Sequence, residues 1–166
     1  MAVQIKVNEK SWAVDVAADT PLLYVLTNEL QLHGPRFGCG LAQCGSCSVL
    51  IDGVERRSCV TPVSGVAGKS ITTLEGLPVW YAVTRRLARA PERHPVQQAL
   101  LDEQAGQCGY CLSGIIVSAK ALLDRNPAPT RAEIAKALDD NICRCGSHNR
   151  ILRAVERAAQ AAAAQP

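Results

Sequence analysis

Eight cysteines in two sets of four constrain this 166-residue chain more than any other feature. The two sets are Cys39, Cys44, Cys47 and Cys59, then Cys108, Cys111, Cys143 and Cys145. Most of them lie in tight groups, and a disulfide within the final C-x-C pair would close a strained ring. The sequence carries no secretory signal pattern, and outside an oxidising compartment closely spaced cysteines are typical of metal ligands rather than disulfides. We therefore expect a fold built around two thiolate metal sites.

The first set has the spacing of one particular metal centre. It is C-x4-C-x2-C with a fourth cysteine at 59, which is the plant-type ferredoxin pattern for one [2Fe–2S] cluster. Gly38, Gly40 and Gly45 lie in this loop, where residues that tolerate positive φ let backbone N–H groups approach sulfur. We expect a [2Fe–2S] cluster held by Cys39, Cys44, Cys47 and Cys59.

The sequence before this loop has the start of a β-grasp domain. Apolar residues alternate over residues 3–7 and again over 12–16, which predicts a hairpin. Thr20-Pro21 then predicts a helix start, with a capping hydroxyl followed by proline at the first helical position. A hairpin, a helix and a cysteine loop in this order are typical of a β-grasp ferredoxin domain.

A second hairpin is predicted directly after the loop. Residues 48–51 and 54–60 flank Asp52-Gly53, a strong hairpin signal, so Cys59 is expected on a strand. We therefore assign residues 1–76 to a β-grasp [2Fe–2S] ferredoxin-type domain.

The rest of the chain has helical periodicity. Residues 77–95 are a connector rich in Arg and Pro, with a short helical piece expected around 81–87. Residues 96–160 predict four helices in a small bundle, and the Ala-rich tail, 161–166, is expected to fray. The predicted fold class is α+β, with an N-terminal β-grasp domain followed by a C-terminal four-helix [2Fe–2S]-binding domain.

Each cysteine pair of the second set stands just before a predicted helix. Helix N-termini present unpaired N–H groups and the positive end of the helix dipole, and both favour a negatively charged thiolate cluster. A structural zinc site is the alternative, because four-cysteine zinc sites also use paired cysteines, although a C-x-C pair is unusual among them. A dithiol of thioredoxin type lacks its βαβ context. We expect a second [2Fe–2S] cluster at Cys108, Cys111, Cys143 and Cys145.

Charge and composition exclude several other classes. A net charge of +3, without basic residues interleaved with aromatics, does not indicate nucleic-acid binding.

The longest uncharged stretch, 104–119, is too short and too polar to cross a bilayer, so no membrane insertion is expected. Without a signal pattern the expected location is cytoplasmic, at the inner membrane only through partners, and periplasmic only with a signal-bearing partner. No catalytic residues are predicted, since the sequence has no Ser/His/Asp arrangement, phosphate-binding loop or nicotinamide fingerprint.

Three stretches together resemble the small iron–sulfur subunit of the molybdenum hydroxylases, the xanthine dehydrogenase and aldehyde oxidoreductase family. They are Cys39-Gly-Leu-Ala-Gln-Cys-Gly-Ser-Cys, Gln107-Cys-Gly-Tyr-Cys and Asn141-Ile-Cys-Arg-Cys-Gly. Other stretches most resemble the small subunits of bacterial nicotinate dehydrogenases: His33-Gly-Pro-Arg-Phe-Gly, Thr72-Thr-Leu-Glu-Gly and His94-Pro-Val-Gln-Gln-Ala. The small subunits of isoquinoline 1-oxidoreductase and aldehyde dehydrogenase are similar as well.

The resemblance implies an electron-transfer subunit of an oxidoreductase complex, not catalytic alone. In that family a large subunit holds molybdenum on a pterin dinucleotide and oxidises an N-heteroaromatic or aldehyde substrate. Electrons then leave singly through two [2Fe–2S] clusters to a flavin subunit or a cytochrome c. By resemblance the second cysteine set holds the cluster nearest the pterin, and Gln107 and Cys145 lie against the pterin. A capping or surface amide is the alternative for Gln107, and a free-standing two-cluster ferredoxin or a zinc protein is the alternative for the chain.

Five further residues are candidates for tuning or supporting the two sites. Ser46 stands where the family more often has alanine, and its hydroxyl could donate a hydrogen bond towards a cluster sulfur, which raises the reduction potential. A serine that points to solvent is the alternative. Arg144 lies between two thiolates and His148 follows them, so either could tune the second cluster electrostatically. His33 and His94 adjoin Gly and Pro, and both are expected to be structural.

Overall fold

The computed structural model describes residues 2–163 of the chain. Its strands are β1 Val3–Val7, β2 Lys10–Val14, β3 Ser48–Ile51, β4 Val54–Arg57 and β5 Ser70–Thr72. Its α-helices are α1 Leu22–Tyr24, α2 Leu77–Thr84, α3 Pro95–Asp102, α4 Leu112–Arg125, α5 Arg131–Ala137 and α6 His148–Ala163. The strands precede all helices but α1, so the predicted α+β class with four helices after the connector is confirmed.

The five strands form one mixed sheet in the order β2-β1-β5-β3-β4. β1 runs parallel to β5, whereas β1–β2, β3–β4 and β3–β5 are antiparallel. The predicted Asp52-Gly53 hairpin is confirmed, because both residues have positive φ (50° and 79°) between paired strands. The side chains of α1 pack on one face of this sheet, as in a β-grasp domain.

Two local expectations in this half are wrong. α1 begins at Leu22 with Pro21 as its N-cap and no side-chain capping bond, so Thr20 is not the cap. The helix then continues as a π-helical turn, Val25–Glu29. Cys59 lies in a 3-10 turn rather than on a strand, because β4 ends at Arg57, opposite the first residue of β3, and has no partner beyond it.

The strand β3 is buried on both of its faces, and this joins the two halves of the molecule. Val49 and Ile51 point into the core between the sheet and α1, whereas Leu50 points into the helical core. Successive side chains of a strand face opposite ways, so one short strand serves both cores. α4 packs on the second face so closely that a Cβ atom on Gly114 would overlap the carbonyl oxygen of Gly45.

The segments around the four-helix unit differ in detail from expectation. The connector contains α2, Leu77–Thr84, which starts earlier than the helical piece predicted at 81–87, and Leu77 belongs to the helical core. α6 continues to Ala163, into the predicted frayed tail, and residues 164–166 lie outside the described part of the chain. No helix within residues 2–163 is long and apolar enough to span a membrane.

Candidate functional site

In the first cysteine set, three N–H groups of the loop backbone donate hydrogen bonds to the sulfur of Cys39. The N–H groups of Leu41 and Gln43 lie 3.3 Å from Cys39 Sγ, and that of Cys44 lies 3.4 Å away. These bonds, the one from Leu41 foremost, lower the pKa of Cys39 from 9.0 to about 7. Because the thiolate is the form that ligates metal, the loop is built to stabilise negative charge at this sulfur.

The same set is arranged as two thiol pairs. Cys39 and Cys44 form one pair, in which the Cys39 N–H also donates to Cys44 Sγ at 3.4 Å. Cys47 and Cys59 share a hydrogen bond, and burial is the main cause that raises the pKa of Cys47 to about 11. A Cβ atom on Gly38 would stand 2.5 Å from Cys44 Sγ, so this position has room only for glycine.

The second set is also arranged as two pairs, each formed across the chain. Cys108 Sγ lies 3.5 Å from Cys145 Sγ, and Cys111, the N-cap of α4, shares a hydrogen bond with Cys143. Burial, together with Cys143, raises the pKa of Cys111 to about 12. At Cys143 burial is the largest single influence and acts in the same direction. Hydrogen bonds with Ser147, Cys111 and the Cys145 backbone together outweigh it and lower the pKa of Cys143 to about 7.

This pairing fits two-iron clusters better than single metal ions. A [2Fe–2S] cluster has two irons and takes four cysteine thiolates in all, whereas a structural zinc site gathers all four around one ion. Within residues 2–163 no three His, Cys, Asp or Glu side chains converge as one ion requires. None of the eight cysteines, all of which lie within residues 2–163, is paired in a disulfide.

The two cysteine loops are in direct contact. The N–H of Ile142, the residue before Cys143, donates to the carbonyl oxygen of Cys44 at 3.1 Å. The hydroxyl of Tyr110, which lies between Cys108 and Cys111, donates to the carbonyl oxygen of Phe37. One hydrogen bond therefore separates the backbone of one cysteine set from that of the other.

A buried polar network crosses the same boundary. Asn141 Nδ2 donates to Ser118 Oγ at 3.0 Å, and Ser118 Oγ donates to Glu55 Oε1 at 2.6 Å. Glu55 also accepts from Arg57 on the same strand. The network fixes Asn141, which directly precedes Ile142 and Cys143, against Ser118 of α4 and Glu55 of β4.

The remaining predicted residues lie in different surroundings. Gln107 is exposed beside Cys108, on the surface that also carries Cys145. Arg144 and His148 are exposed near the second set, whereas Ser46 is buried and its carbonyl accepts from Arg36 N–H.

The two histidines before the second set form their hydrogen bonds with other residues than the cysteines. His33 is exposed and its N–H donates to Glu75. His94 is buried as the N-cap of α3, where its Nδ1 accepts from Val96 N–H at 3.2 Å. The structural role predicted for His94 is confirmed.

Sequence reasoning missed Tyr110, Asn141 and Ser147 as supports of the sites. Each stands within two residues of a ligand cysteine, which is the one signal that could have found them. The partners of Tyr110 and Asn141 are 73 and 23 residues away in the chain, so no local pattern points to them.

Each half of the chain matches a protein-family model. Residues 5–67 match a model described as a 2Fe-2S iron-sulfur cluster binding domain, and residues 84–156 match one described as a [2Fe-2S] binding domain. The chain is 54% identical over 158 residues to one subunit of the nicotinate dehydrogenase of Pseudomonas putida, covering 95% of this chain and 94% of that protein. It is 48% identical over 149 residues to the alpha subunit of isoquinoline 1-oxidoreductase from Brevundimonas diminuta, covering 90% and 91%.

Solved structures show the same architecture. Quinoline 2-oxidoreductase from Pseudomonas putida superposes with a TM-score of 0.86 at 32% identity, covering 99% of this chain and 97% of that one. The aldehyde oxidoreductase of Desulfovibrio desulfuricans gives a TM-score of 0.85 at 38% identity. There the match covers 98% of this chain but 17% of the other, so the same unit also occurs as part of a much longer polypeptide.

Proposed function

This chain belongs to the [2Fe–2S] iron–sulfur subunits of the molybdenum hydroxylases, and from that premise we propose that it relays single electrons from a large molybdenum subunit to an acceptor protein. Each [2Fe–2S] cluster, when bound, accepts and releases one electron at a time. In this proposal Cys108, Cys111, Cys143 and Cys145 hold the inner cluster. The outer cluster is held by Cys39, Cys44, Cys47 and Cys59.

The observation that carries the proposal is the contact between the two ligand loops. The Ile142 N–H to Cys44 carbonyl bond leaves only backbone and one hydrogen bond between a ligand of each set. Ser118 and Asn141 fix this contact from the side. A protein that carried its two sites for structure alone would have no need to bring their ligand loops together.

We assign the large-subunit contact to the exposed end of the second set. Cys108 is the most exposed of the eight cysteines, and Gln107 beside it is exposed as well. Gln107 and Cys145 would then lie against the pterin dinucleotide held by the partner, with the amide of Gln107 free to hydrogen-bond to it. The helical half, residues 96–160, would supply the interface, and the β-grasp half, residues 1–76, would face a flavin subunit or a cytochrome c.

For the substrate we propose an N-heteroaromatic ring compound of the nicotinate type. The support is the identity to the nicotinate and isoquinoline enzymes, at 54% and 48%, compared with 36% to the iron–sulfur-binding chain of an aldehyde oxidoreductase of Escherichia coli. The choice of substrate would be made in the large subunit, and this chain would accept the electrons that result.

Low-temperature EPR on the reduced, purified complex tests the relay. We expect two distinct rhombic S = 1/2 signals, and both should also appear when the substrate replaces dithionite as the reductant. Cys47→Ser should remove one signal and Cys111→Ser the other, which assigns each signal to a cysteine set. Zinc in place of iron, or a single signal, would overturn the two-cluster relay, and purification without any large subunit would favour a free-standing ferredoxin.

A further inference from the structure

A ring of hydrogen bonds surrounds the place where the two cysteine loops meet. It begins at the carbonyl oxygen of Gly45 in the first loop and ends at the side chain of Asn141, which lies against Gly45. Its six members, which we call the polar ring, are Gly45, Ser48, Glu55, Arg57, Ser118 and Asn141. Three of them are buried polar residues, and buried polar groups need partners, so the members of the ring are held by one another.

One side of the polar ring runs from the second cysteine loop to Glu55. Asn141 Nδ2 donates to Ser118 Oγ at 3.0 Å, and Ser118 Oγ donates to Glu55 Oε1 at 2.6 Å. The Ser118 hydroxyl has one proton, and we assign it to the shorter of its two contacts, because Asn141 Oδ1 is 3.3 Å away. Asn141 is therefore held on α4 through a chain of bonds that Glu55 completes.

The other side runs from Glu55 to the first cysteine loop. Arg57, on the same strand as Glu55, donates both to Glu55 Oε1 and to Ser48 Oγ. Ser48 Oγ in turn donates to the carbonyl oxygen of Gly45 at 2.7 Å, which is shorter than its 3.0 Å contact with Glu55 Oε1. Glu55 accepts from both sides and donates to neither, so the two sides depend on the same carboxylate oxygen.

The polar ring closes beside the hydrogen bond that joins the two loops. A Cβ atom on Gly45 would stand 2.4 Å from Asn141 Oδ1, so the amide of Asn141 lies directly on the backbone of Gly45. Gly45 follows Cys44 in the chain, and Asn141 precedes Ile142, whose N–H donates to the Cys44 carbonyl oxygen at 3.1 Å. The ring thus holds the neighbour of each partner in that hydrogen bond.

Loss of the Glu55 carboxylate would release both sides of the ring together. Ser118 would turn its proton towards Asn141 Oδ1, and the guanidinium of Arg57 would lose the anion that holds it beside Ser48. Removing one partner of a buried hydrogen bond leaves the other partner unsatisfied, which is costly enough to drive a rearrangement. Because the ring is closed, this rearrangement reaches the loop contact from both directions.

We propose that Glu55 is a positioning residue for electron transfer between the two clusters, and that its carboxylate holds the two cysteine loops at their working separation. Glu55 lies on β4, outside both loops, and acts through Ser118 and Arg57. Electron transfer between two centres slows steeply as their separation grows, so a loosened contact slows it even when both clusters are intact. This inference rests on the proposed relay function and adds to it the residue that sets the rate between the clusters.

The test compares three variants of the purified complex. Glu55→Ala removes the acceptor, whereas Glu55→Gln removes the same negative charge and keeps an acceptor oxygen on a side chain of the same length. Glu103→Ala is the matched control. The side chain of Glu103 is 21% exposed, compared with 20% for Glu55, and it also accepts from arginines, but these are Arg153 and Arg157 on α6.

Three measurements separate positioning from charge and from stability. The first is the rate at which an electron from a photoexcited reductant redistributes between the two clusters, followed by transient absorption. The second is the magnetic interaction between the two clusters in the EPR spectrum of the fully reduced complex, which reports their separation and relative orientation. The third is the midpoint potential of each cluster.

We expect Glu55→Ala to weaken the magnetic interaction and to slow the redistribution at least about tenfold, since a misplacement of about 1 Å can cost about a hundredfold in rate. Glu55→Gln and Glu103→Ala should keep the wild-type rate and the wild-type interaction. The midpoint potentials of Glu55→Ala and Glu55→Gln should agree with each other, because both variants lack the same charge. The difference in rate between these two variants then reports the hydrogen bonds alone.

Ser118→Ala replaces Glu55→Ala in the comparison if the latter does not assemble both clusters. It breaks one side of the polar ring and leaves Glu55 and Arg57 in place. It should therefore slow the redistribution while both midpoint potentials stay at their wild-type values.

Three results would overturn the positioning proposal. The first is a wild-type rate in Glu55→Ala, or in Ser118→Ala where it serves as the replacement. The second is equal slowing in Glu55→Ala and Glu55→Gln, which would make charge the cause, and the third is equal slowing in Glu103→Ala, which would make general stability the cause. Failure of an electron to pass between the two clusters of the wild-type complex would instead contradict the relay function itself.

Discussion

Gly38 is the residue with the least room in the first cysteine loop. A Cβ atom there would stand 2.5 Å from Cys44 Sγ, so Gly38→Ala must displace a ligand sulfur. We expect this variant to lose the outer-cluster EPR signal and keep the inner one. Gly65→Ala is the control, because its Cβ would meet Pro62 at an ordinary 3.6 Å, and it should keep both signals. Full outer-cluster occupancy in Gly38→Ala would show that the loop tolerates the displacement.

His94 should make the protein sensitive to acid. Burial, followed by the positive charge of Lys120, lowers the pKa of His94 from 6.5 to about 4. The unfolded state therefore binds a proton between these pH values that the folded state does not, so stability falls as the pH drops from 6.5 towards 4. The loss attributable to this one residue is about 3 kcal/mol, at roughly 1.4 kcal/mol for each pH unit.

The measurement is the free energy of unfolding from urea titrations of wild type and His94→Asn at about pH 7 and about pH 4.5, which bracket most of this window. Asparagine can still cap α3 and does not titrate, so the difference between the two proteins should shrink or reverse at the lower pH. The groups that face His94 are the Tyr81 ring, which meets it edge-on with the two ring centroids 5.1 Å apart, and Lys120, which is paired with Asp124. Equal pH dependence in both proteins would show that His94 does not control the acid sensitivity.

At the scale of elements, the N-termini of α1 and α5 show when a local sequence signal is sufficient to predict a helix cap. The sequence Thr130-x-x-Glu133 is the local signature of a capping box, and α5 begins with that box, where Glu133 N–H donates to Thr130 Oγ1 at 3.3 Å. Thr130→Ala should therefore lower the free energy of unfolding by about 1 kcal/mol. Thr20→Ala is the matched control, because α1 has no side-chain cap, and it should change stability by less than about 0.5 kcal/mol. An equal loss in both variants would mean that capping is not the cause.

The cap of α5 and the end of β4 show which features can be predicted from sequence and which cannot. The α5 cap depends on residues three apart, so a local pattern is enough to predict it. The end of β4 depends on where β3 begins, because Arg57 pairs with Ser48, the first residue of β3. Spacing therefore predicted the cysteine sets and the element order, whereas the 3-10 turn at Cys59 required the tertiary pairing.

For the whole molecule, the feature that sequence could not predict is the two-sided burial of β3. Ser48, Val49, Leu50 and Ile51 show no polar and apolar alternation, so the pattern does not reveal which residues face which core. The contact that buries Leu50 comes from α4, more than sixty residues later, and depends on glycine at 114 and 45. The same contact brings the two cysteine loops within one hydrogen bond, so the shared core and the contact between the loops arise from a single packing event.

Leu50→Ala should accordingly destabilise the C-terminal helical half, although Leu50 itself lies in the N-terminal half of the sequence. Truncating a fully buried leucine typically costs about 2–5 kcal/mol, roughly in proportion to the cavity left. Because Leu50 lies in the helical core, native-state hydrogen exchange should accelerate most at the buried amides of α4 and α6. Val49→Ala removes a side chain that is equally buried on the opposite face, and it should accelerate exchange in β1 and β5 instead. If both substitutions accelerated the same amides equally, the two cores would unfold as one unit and β3 would not divide them.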